Sequence, residues 1–369
     1  MVSYKKIMNS VLTKKPLRAV ASTLSTLRHS QKASLPFKLK IECSSICNLR
    51  CKMCPLSNGL KREQGLLKFE NFKYIFDQIN PAYLNLTGIG ETFLNPDLFE
   101  IIKYAKKKKA MVKLDTNGTL LNKENIEKII ETNIDIISIS IDGVDKKSYE
   151  KIRIGAKFEN VKENVKNLVK QRNLLNSKSQ IHMFFVLQED NIEKLPEFIK
   201  LGKELGIDYM AGSFVVTLGA NKNNKNKIFN YKKNEKLINQ TKEFIKEANF
   251  EISVGPLLEY LQYMGEKEFY NHDKPCYMPW YSTFITWDGW VNPCDFSCDN
   301  EMVFGNVFQE PFKKIWNNEK IRNFREQILK NRSSINICNG CGVDETYIEN
   351  EIKRLESIPF VKFIQYKPR

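Results

Sequence analysis

The stretch IECSSICNLRCKMCP, residues 41–55, contains four of the nine cysteines of the chain. Three of them, Cys47, Cys51 and Cys54, form the pattern C-x3-C-x2-C. Such short spacings allow thiolates from one loop to converge on a metal centre, and soft sulfur ligands favour zinc or an iron–sulfur cluster over hard cations. Cys43 could supply the fourth ligand that structural zinc needs, although it ends an apolar run that is typical of a strand. The stretch therefore predicts either a zinc knuckle or a cluster bound by three cysteines, with one iron open to a small molecule.

The composition indicates a globular protein of a reducing compartment. A chain of 369 residues with 42% hydrophobic content can form one large domain and a smaller one. An odd number of cysteines with metal-like spacing argues against a secreted disulfide framework. The sequence shows no apolar run long enough to span a bilayer and no hydrophobic segment typical of a signal peptide. We therefore expect a cytoplasmic protein.

The formal charge of +15 raises the question of a nucleic-acid or membrane partner. Lysines are spread over predicted helix faces, as in the run KYAKKKK of residues 103–109, and solvated faces explain most of the charge. A nucleic-acid partner is therefore not expected.

Residues 1–36 contain no acidic residue and form a basic N-terminal extension. Apolar residues at positions 17, 20, 24 and 27 recur at helical spacing after Pro16, a residue that the first turn of a helix tolerates. This helix could make a peripheral membrane contact or pack across the bottom of the main domain, and we favour the second interpretation.

From residue 37 to about residue 217 the sequence alternates strand-like and helix-like segments six times. The predicted strands are 37–43, 83–87, 112–116, 134–141, 181–187 and 208–216, and the predicted helices are 69–79, 97–109, 123–131, 158–173 and 192–205. Six such units predict an α/β fold with a parallel sheet and right-handed crossovers. Periodicity alone does not decide between an open sheet and a curved partial barrel.

Polar residues and glycines follow the predicted strands, at the edge where parallel sheets bind ligands. Strand two is followed by GIGE, residues 88–91, and strand three ends in DTNG, residues 115–118. Strand four delivers Ser140 and Asp142, and Arg153 comes soon after. Glycines let a backbone approach a ligand closely, and a carboxylate can bind an ammonium group. The sequence therefore predicts a ligand site beside the cysteine loop.

The loop CNLRCKMC, followed by Pro55, resembles the cluster loop of the radical S-adenosylmethionine (radical SAM) superfamily. The resemblance implies a [4Fe–4S] cluster bound by Cys47, Cys51 and Cys54, whose fourth iron binds the amino and carboxylate groups of S-adenosylmethionine. It also implies a partial (βα)6 TIM-like barrel. Met53 replaces the aromatic residue of many members, and methionine can still lie against a purine ring.

Short motifs at the strand ends resemble the same superfamily. The pair Gly90-Glu91 matches its glycine–glutamate motif, which binds the methionyl amine, with a threonine in place of the usual proline. The TNG motif that contains Asn117 also resembles family members. By resemblance to sulfatase-maturing enzymes, Ser140 and Arg153 would contact the carboxylate and the ribose of the cofactor.

A second group of cysteines lies towards the end of the chain: Cys276, Cys294, Cys298, Cys338 and Cys341. Between the first two, STFITWDGWVNPC has a hairpin signal, with apolar and aromatic residues on both sides of an Asp-Gly turn. A helix-like segment, residues 312–329, then precedes CNGC. On spacing alone, this arrangement also permits a four-cysteine zinc ribbon.

The same arrangement resembles the twitch form of the SPASM extension, which binds an auxiliary [4Fe–4S] cluster, and its spacing resembles the aminocyclitol dehydrogenase of aminoglycoside biosynthesis. The resemblance implies Cys276, Cys294, Cys338 and Cys341 as ligands of one auxiliary cluster. Cys298 stays open as a spare thiol, a substitute ligand or a hydrogen-atom donor. The implied domains are the extension 1–36, a radical SAM core 37–230, a connecting helical region 231–270, a small β-hairpin and helix domain of SPASM/twitch type 271–345, and a tail 346–369.

The resemblance implies an enzyme that reductively cleaves S-adenosylmethionine to a 5′-deoxyadenosyl radical, which abstracts a hydrogen atom from a substrate. An auxiliary cluster without an open iron is suited to accept a second electron, so we expect net oxidation of a small polar or sugar-like molecule. A reduced flavodoxin or ferredoxin would be the electron donor. The alternatives are a peptide-modifying maturase or a radical epimerase of the SPASM group and, outside the superfamily, a zinc-stabilised nucleic-acid-binding protein.

Overall fold

The computed structural model describes residues 15–215, 234–254, 258, 275–339 and 341. The predictions for residues 1–14, the loop 219–233 and the tail 346–369 lie outside these ranges. In the described residues ten strands form one sheet. They are β1 Lys38–Glu42, β2 Tyr83–Thr87, β3 Met111–Thr116, β4 Ile136–Ser140, β5 Gln180–Leu187, β6 Tyr209–Phe214, β7 Glu251–Ser253, β8 Ser282–Ile285, β9 Trp290–Asn292 and β10 Gly305–Asn306.

The sheet runs in the order β10-β9-β8-β1-β2-β3-β4-β5-β6-β7. Strands β1 to β7 are parallel and adjacent in chain order, as consecutive βα units require. Strand β8 pairs parallel with the other side of β1, and β9 and β10 continue antiparallel. The sheet has two ends, at β7 and β10, within the described residues. The chain is thus an α/β protein with a partial TIM-like barrel, as predicted.

Helices follow most of the strands and cover the sheet. They are α1 Pro16–Leu27, α2 Phe69–Ile79, α3 Leu98–Lys107, α4 Lys123–Thr132, α5 Lys146–Ile152, α6 Phe158–Leu174, α7 Leu195–Leu205, α8 Glu235–Glu247, α9 Met278–Tyr281, α10 Phe312–Ile315 and α11 Glu319–Asn331. In α3 the apolar stripe of Leu98, Ile101 and Ile102 is buried. The hydrophobic periodicity of the sequence therefore identified the faces that pack on the sheet.

Side chains alternate along the strands between an apolar layer under the helices and a polar layer on the other face. On β1, Ile41 is fully buried in the core, whereas the preceding Lys40 forms an ion pair with Asp295 (2.7 Å). On β3, Lys113 pairs with Asp115 (2.6 Å). The polar layer and the carboxyl ends of the strands are the part of the barrel in which a polar ligand can be bound.

Strands beyond the six predicted units extend the sheet on both sides. Strand β7 follows α8 and adds a seventh parallel strand next to β6. The predicted C-terminal hairpin forms as β8 and β9 and joins the barrel sheet through β1, so the second cysteine group is attached directly to the first strand. The domain boundaries of the sequence analysis stay predictions.

Three local predictions were incomplete or wrong. Helix α5 was not predicted, although Asp145 and Ser148 form a capping box at its start. The single helix predicted over residues 312–329 is two helices, because Asn318 caps a new helix by accepting from the N–H of Ile321. The hairpin turn is longer than two residues, since the Gly289 N–H donates to the Thr286 carbonyl and Gly289 has φ 91°.

Helix α1 packs across the amino ends of the strands, as we favoured. Ser22 Oγ donates to the Trp280 carbonyl (3.4 Å), and Trp280 Nε1 donates to the Ser30 carbonyl (2.8 Å). Leu27 packs on a cluster that includes Phe37 at the start of the barrel. None of the helices in the described ranges combines the length and apolar character of a membrane span.

Candidate metal and cofactor site

The cysteine loop begins directly after β1. Cys43 itself is fully buried and continues the sheet, because its N–H donates to the Thr87 carbonyl (3.2 Å) and its carbonyl accepts from Asn95 Nδ2 (2.7 Å). Burial raises the pKa of the Cys43 thiol. Cys43 is therefore a packed strand residue that is separate from the three cysteines of the loop.

Cys47, Cys51 and Cys54 line one cavity of about 330 Å³ at the carboxyl ends of the strands. All five residues predicted to contact the cofactor line the same cavity: Gly90, Glu91, Asn117, Ser140 and Arg153. The structure thus brings together residues from β1 to β4 and from the turn after α5. Their individual roles in binding stay predictions.

Glu91 is fixed by the protein around it. Its Oε1 accepts from Thr116 Oγ1 (2.7 Å) and its Oε2 from the Asn117 N–H (2.7 Å), while the side chain is almost fully buried. Burial raises the pKa of the Glu91 carboxyl, and the hydrogen bonds from Asn117 and Thr116 oppose that rise. A carboxylate oriented in this way can bind an ammonium group in the cavity.

Gly90 is required by close contact with the start of the cysteine loop. A Cβ at this position would lie 2.5 Å from the carbonyl oxygens of Ser44 and Ile46. The Gly90 N–H donates to the Ser44 carbonyl (3.1 Å), and the Glu91 N–H donates to the Ile46 carbonyl (2.8 Å). These two hydrogen bonds set the distance between the Gly-Glu motif and the cysteines.

Arg153 lies at the end of α5 and is held by Asp142. Arg153 Nε donates to Asp142 Oδ2 (2.6 Å), and Asp142 Oδ1 accepts from the Val186 N–H (2.7 Å). Burial would lower the pKa of Arg153, but the Asp142 carboxylate and the Cys51 sulfur raise it, so the guanidinium stays charged. Arg153 Nη1 approaches Cys51 Sγ at 3.8 Å. A fixed positive charge therefore faces both the cysteine loop and the cavity.

Further donors surround the sulfurs. The Leu49 N–H donates to Cys47 Sγ (3.4 Å), and Asn117 Nδ2 approaches the same sulfur at 3.9 Å while it donates to Asn48 Oδ1 (2.9 Å). Burial raises the pKa of the loop thiols, to about 12 for Cys54. Metal binding must deprotonate such thiols, and these donors stabilise the thiolates once formed.

The cysteine donors of the loop fit an iron–sulfur cluster. Among the residues that the structure describes, no three His, Cys, Asp or Glu side chains converge on one ion position. In a [4Fe–4S] cluster each cysteine binds a different iron, so the sulfurs remain apart. The three loop cysteines line one cavity, which agrees with their binding to one cluster.

The second cysteine set assembles beside β8 and β9. Cys276 precedes α9 and Cys294 follows β9, while Cys338 and Cys341 form a turn in which the Cys341 N–H donates to the Cys338 carbonyl (3.0 Å). Cys276 and Cys294 each interact electrostatically with Cys341. The buried Arg332 lies against this set, and its Nη2 donates to the Cys341 carbonyl (3.3 Å).

Cys298 lies on the side of the SPASM region that is close to the first cysteine set. Its thiol interacts electrostatically with Cys54 and Arg62. Arg62 Nε donates to the Cys298 carbonyl, and Phe296, two residues earlier, lines the cavity. This position favours a role near the first cysteine set over that of a substitute ligand of the second.

Comparison with known proteins identifies the family. The Radical SAM superfamily profile matches residues 41–201. The profile of the SPASM iron–sulfur cluster-binding domain matches residues 276–342. The chain belongs to the radical SAM superfamily and carries a SPASM domain. The first match spans β1 to α7 and the loop cysteines, and the second spans the four cysteines of the second set.

Curated relatives of this radical SAM chain cover most of its length. AdoMet-dependent heme synthase of Methanosarcina barkeri is 26% identical over 81% of this chain and 89% of the relative. The subtilosin biosynthesis protein AlbA of Bacillus subtilis is 25% identical over 88% and 71%. The mycofactocin maturase MftC of Mycobacterium tuberculosis is 24% identical over 83% and 76%.

Solved structures share the fold. Streptococcus suis SuiB bound to S-adenosylmethionine has a TM-score of 0.64 at 20% identity, over 82% of this chain and 70% of SuiB. The anSMEcpe structure with bound AdoMet has a TM-score of 0.61 at 19% identity, over 89% and 94%.

The radical SAM and SPASM domains imply an S-adenosylmethionine-binding [4Fe–4S] cluster and auxiliary iron–sulfur chemistry. Iron–sulfur clusters are therefore the metal centres that the two domains imply, and which cysteines bind each cluster stays a prediction. Sequence reasoning missed several lining residues, namely Ser213 and Phe214 at the end of β6, and Phe296. The strand-end rule could have found the first two, whereas Phe296 reaches the cavity only through the tertiary fold.

Proposed function

We propose that this radical SAM enzyme is an oxidoreductase that removes two electrons from a small polar or sugar-like substrate. The observation that carries the proposal is the short segment between the two cysteine sets. Cys294 is one of the four cysteines of the second set, Phe296 lines the cavity together with the first set, and the Cys298 carbonyl accepts from Arg62. Five consecutive residues therefore lead from the cavity to a candidate electron acceptor.

The balance of the proposed oxidation explains the need for that acceptor. The bound cofactor would supply a 5′-deoxyadenosyl radical, which is a strong hydrogen-atom acceptor. One electron and one proton of the substrate would leave together as a hydrogen atom and appear in 5′-deoxyadenosine. We assign Cys276, Cys294, Cys338 and Cys341 to an auxiliary [4Fe–4S] cluster, which would accept the second electron while the second proton would pass to solvent. The electron that starts each turnover comes from a reduced flavodoxin- or ferredoxin-type donor.

The protein residues bind and orient. We assign Cys47, Cys51 and Cys54 to the first cluster, and the Glu91 carboxylate, held by Thr116 and Asn117, to the ammonium group of S-adenosylmethionine. The fixed charge of Arg153 is suited to the cofactor carboxylate or ribose, and the hydroxyl of Ser140 lines the same cavity. Apolar Phe214 and Phe296 line the cavity, where such side chains would limit the access of water to the reacting atoms.

Two alternatives are each favoured by a specific observation. Relatives named as a maturase and as a peptide cyclase favour a peptide substrate for the same cavity. The position of Cys298 near Cys54 favours an epimerase, in which a thiol returns a hydrogen atom to the substrate. A peripheral membrane contact through residues 1–36 is a separate proposal, supported by the basic composition of that segment.

Anaerobic reconstitution followed by mass spectrometry tests the proposal. Candidate small polar molecules and peptides are incubated in D₂O with S-adenosylmethionine and a reductant, and 5′-deoxyadenosine is measured. The proposal expects a product that has lost two hydrogens, in amounts equal to 5′-deoxyadenosine. A product that gains one solvent deuterium without net oxidation supports the epimerase and refutes the oxidoreductase. If the cleavage of S-adenosylmethionine requires Cys47 and only peptides are converted, the result supports the maturase and refutes a small-molecule substrate.

A further inference from the structure

A buried arginine lies against the second cysteine set. Arg332 is only 2% exposed and begins the short turn Arg332–Ser334 that follows α11. Its guanidinium donates to the Cys341 carbonyl (3.3 Å) and hydrogen-bonds to the Cys338 side chain. It also interacts electrostatically with Cys276, which comes from the other side of the set. The Arg332 guanidinium therefore lies close to cysteines from both ends of the SPASM segment.

Arg332 carries a positive charge beside these cysteines. A guanidinium stays protonated in proteins even where it is buried, and Arg332 is almost fully buried. Charged side chains are rarely buried unless a charge of the opposite sign accompanies them. The partner that best explains the position of this arginine is a group that carries negative charge when the site is assembled.

A four-thiolate [4Fe–4S] cluster is such a group. Four thiolates outweigh the positive charge of the iron–sulfide core, and the cluster becomes more negative when it is reduced. A nearby fixed cation therefore stabilises the reduced form more than the oxidised form, and hydrogen bonds to the sulfurs act in the same direction. Because the site is buried, solvent screens this interaction weakly.

We propose that Arg332 is the counter-charge of the auxiliary cluster and raises its reduction potential, so that the cluster can accept an electron. The proposal rests on the assignment of an auxiliary cluster to these four cysteines and deepens the proposed oxidoreductase function. Arg332 is a positioning residue in this role, because it acts on the cluster and does not contact the substrate.

Arg325, on the helix α11 that precedes Arg332, offers a matched control. It is 1% exposed, and its guanidinium lies 4.7 Å from the ring of Trp316. Its Nε donates to the Pro279 carbonyl (3.0 Å), and its Nη1 donates to the Gln31 carbonyl (3.1 Å). Both arginines are therefore buried, but the guanidinium of Arg325 contacts two backbone carbonyls, the side-chain oxygen of Asn317 (3.2 Å) and an aromatic ring instead of cysteines.

The test measures the auxiliary cluster alone. A chain with Cys47, Cys51 and Cys54 changed to alanine keeps only the second cysteine set, and the midpoint potential of its cluster is measured by EPR-monitored redox titration. We expect Arg332→Gln to shift the reduction equilibrium at least tenfold towards the oxidised form, about 59 mV for a one-electron couple. Arg332→Lys keeps the charge and should shift it less, and Arg325→Gln should leave the potential unchanged.

Each outcome decides the proposal. An unchanged potential in Arg332→Gln, or an equal shift in Arg325→Gln, overturns it. If Arg332→Gln loses the cluster, occupancy restored in Arg332→Lys supports the charge, whereas loss in both variants shows that the shape of arginine matters and overturns the proposal. Iron content separates these results from a failure of the proposed function, because a chain without an auxiliary cluster would show no iron before any change at Arg332.

Discussion

Removal of the Asp142 carboxylate tests how much the buried ion pair between Asp142 and Arg153 stabilises the wall of the cavity. Asp142 is fully buried, with Arg153 Nε at 2.6 Å from one oxygen and the Val186 N–H at 2.7 Å from the other. In Asp142→Ala the Arg153 side chain, which is 11% exposed, stays buried without its carboxylate. The Val186 N–H also loses its acceptor.

The expected cost follows from these two losses. Breaking a buried ion pair from one side costs about 3–5 kcal/mol, and an unsatisfied buried amide costs about 1–3 kcal/mol. The two penalties overlap, because both are desolvation of the same small volume. We therefore expect the free energy of unfolding of the metal-free protein to fall by about 4 kcal/mol, measured by urea titration. Binding of S-adenosylmethionine to the reconstituted protein should weaken as well, because Arg153 loses its orientation.

A double-mutant cycle separates the ion pair from general damage. Adding Arg153→Ala to Asp142→Ala removes the uncompensated charge, so the double variant should be more stable than the sum of the two single changes predicts. Glu124→Ala breaks an exposed pair with Lys128 and should leave unfolding unchanged. Strict additivity at positions 142 and 153, or a loss below about 1 kcal/mol in Asp142→Ala, would refute the reasoning.

Three further predictions concern the clusters, the Gly-Glu motif and the barrel interior. Changing Cys338 and Cys341 to alanine should lower the iron content from about eight to about four per chain, with S-adenosylmethionine binding retained. Iron that remains at the higher level would place the second cluster elsewhere. Gly90→Ala should weaken S-adenosylmethionine binding at unchanged iron content, because the new Cβ would lie 2.5 Å from the Ser44 carbonyl; calorimetry measures the affinity. Burial lowers the pKa of His182 from 6.5 to about 3, so the folded protein keeps it neutral while the unfolded chain takes up a proton below pH 6.5. Stability should therefore fall as pH falls from 6.5 towards 3, by about 2 kcal/mol at pH 5, and His182→Gln should remove that part of the acid sensitivity in urea titrations of the metal-free protein. An identical pH dependence in both proteins would show that His182 has the same pKa in the folded and the unfolded chain.

The sequence predicted the barrel because its signals are local. Strand β4 was visible as a β-branched run, and α6 was visible as a stripe at helical spacing that includes Val161, Val165 and Leu168. The strand-end rule predicted Glu91 and Ser140 at one ligand site, and both line the cavity; Arg153, which was predicted from the family resemblance, lines it as well.

Other features depend on contacts between residues far apart in the chain. The split between α10 and α11 depends on whether Asn318 acts as a cap, which a continuous run of helix-forming residues does not reveal. The docking of β8 on β1 depends on an edge of the barrel that exists only after folding. The proximity of Cys298 to Cys54 had no signal in the spacing, because the two residues belong to different motifs.

Two ion pairs with β1 hold the segment 294–298, which lies between the two cysteine sets and forms the proposed electron path. Lys40 of β1 forms an ion pair with Asp295 (2.7 Å), the residue that follows Cys294. Glu42, at the end of the same strand, pairs with Arg62 (2.6 Å), which also donates to the Cys298 carbonyl. Both anchors come from one strand, and both are partly or fully buried, so solvent competes weakly with them. The separation of the two cysteine sets is therefore set by β1, the strand that also leads into the first cysteine loop.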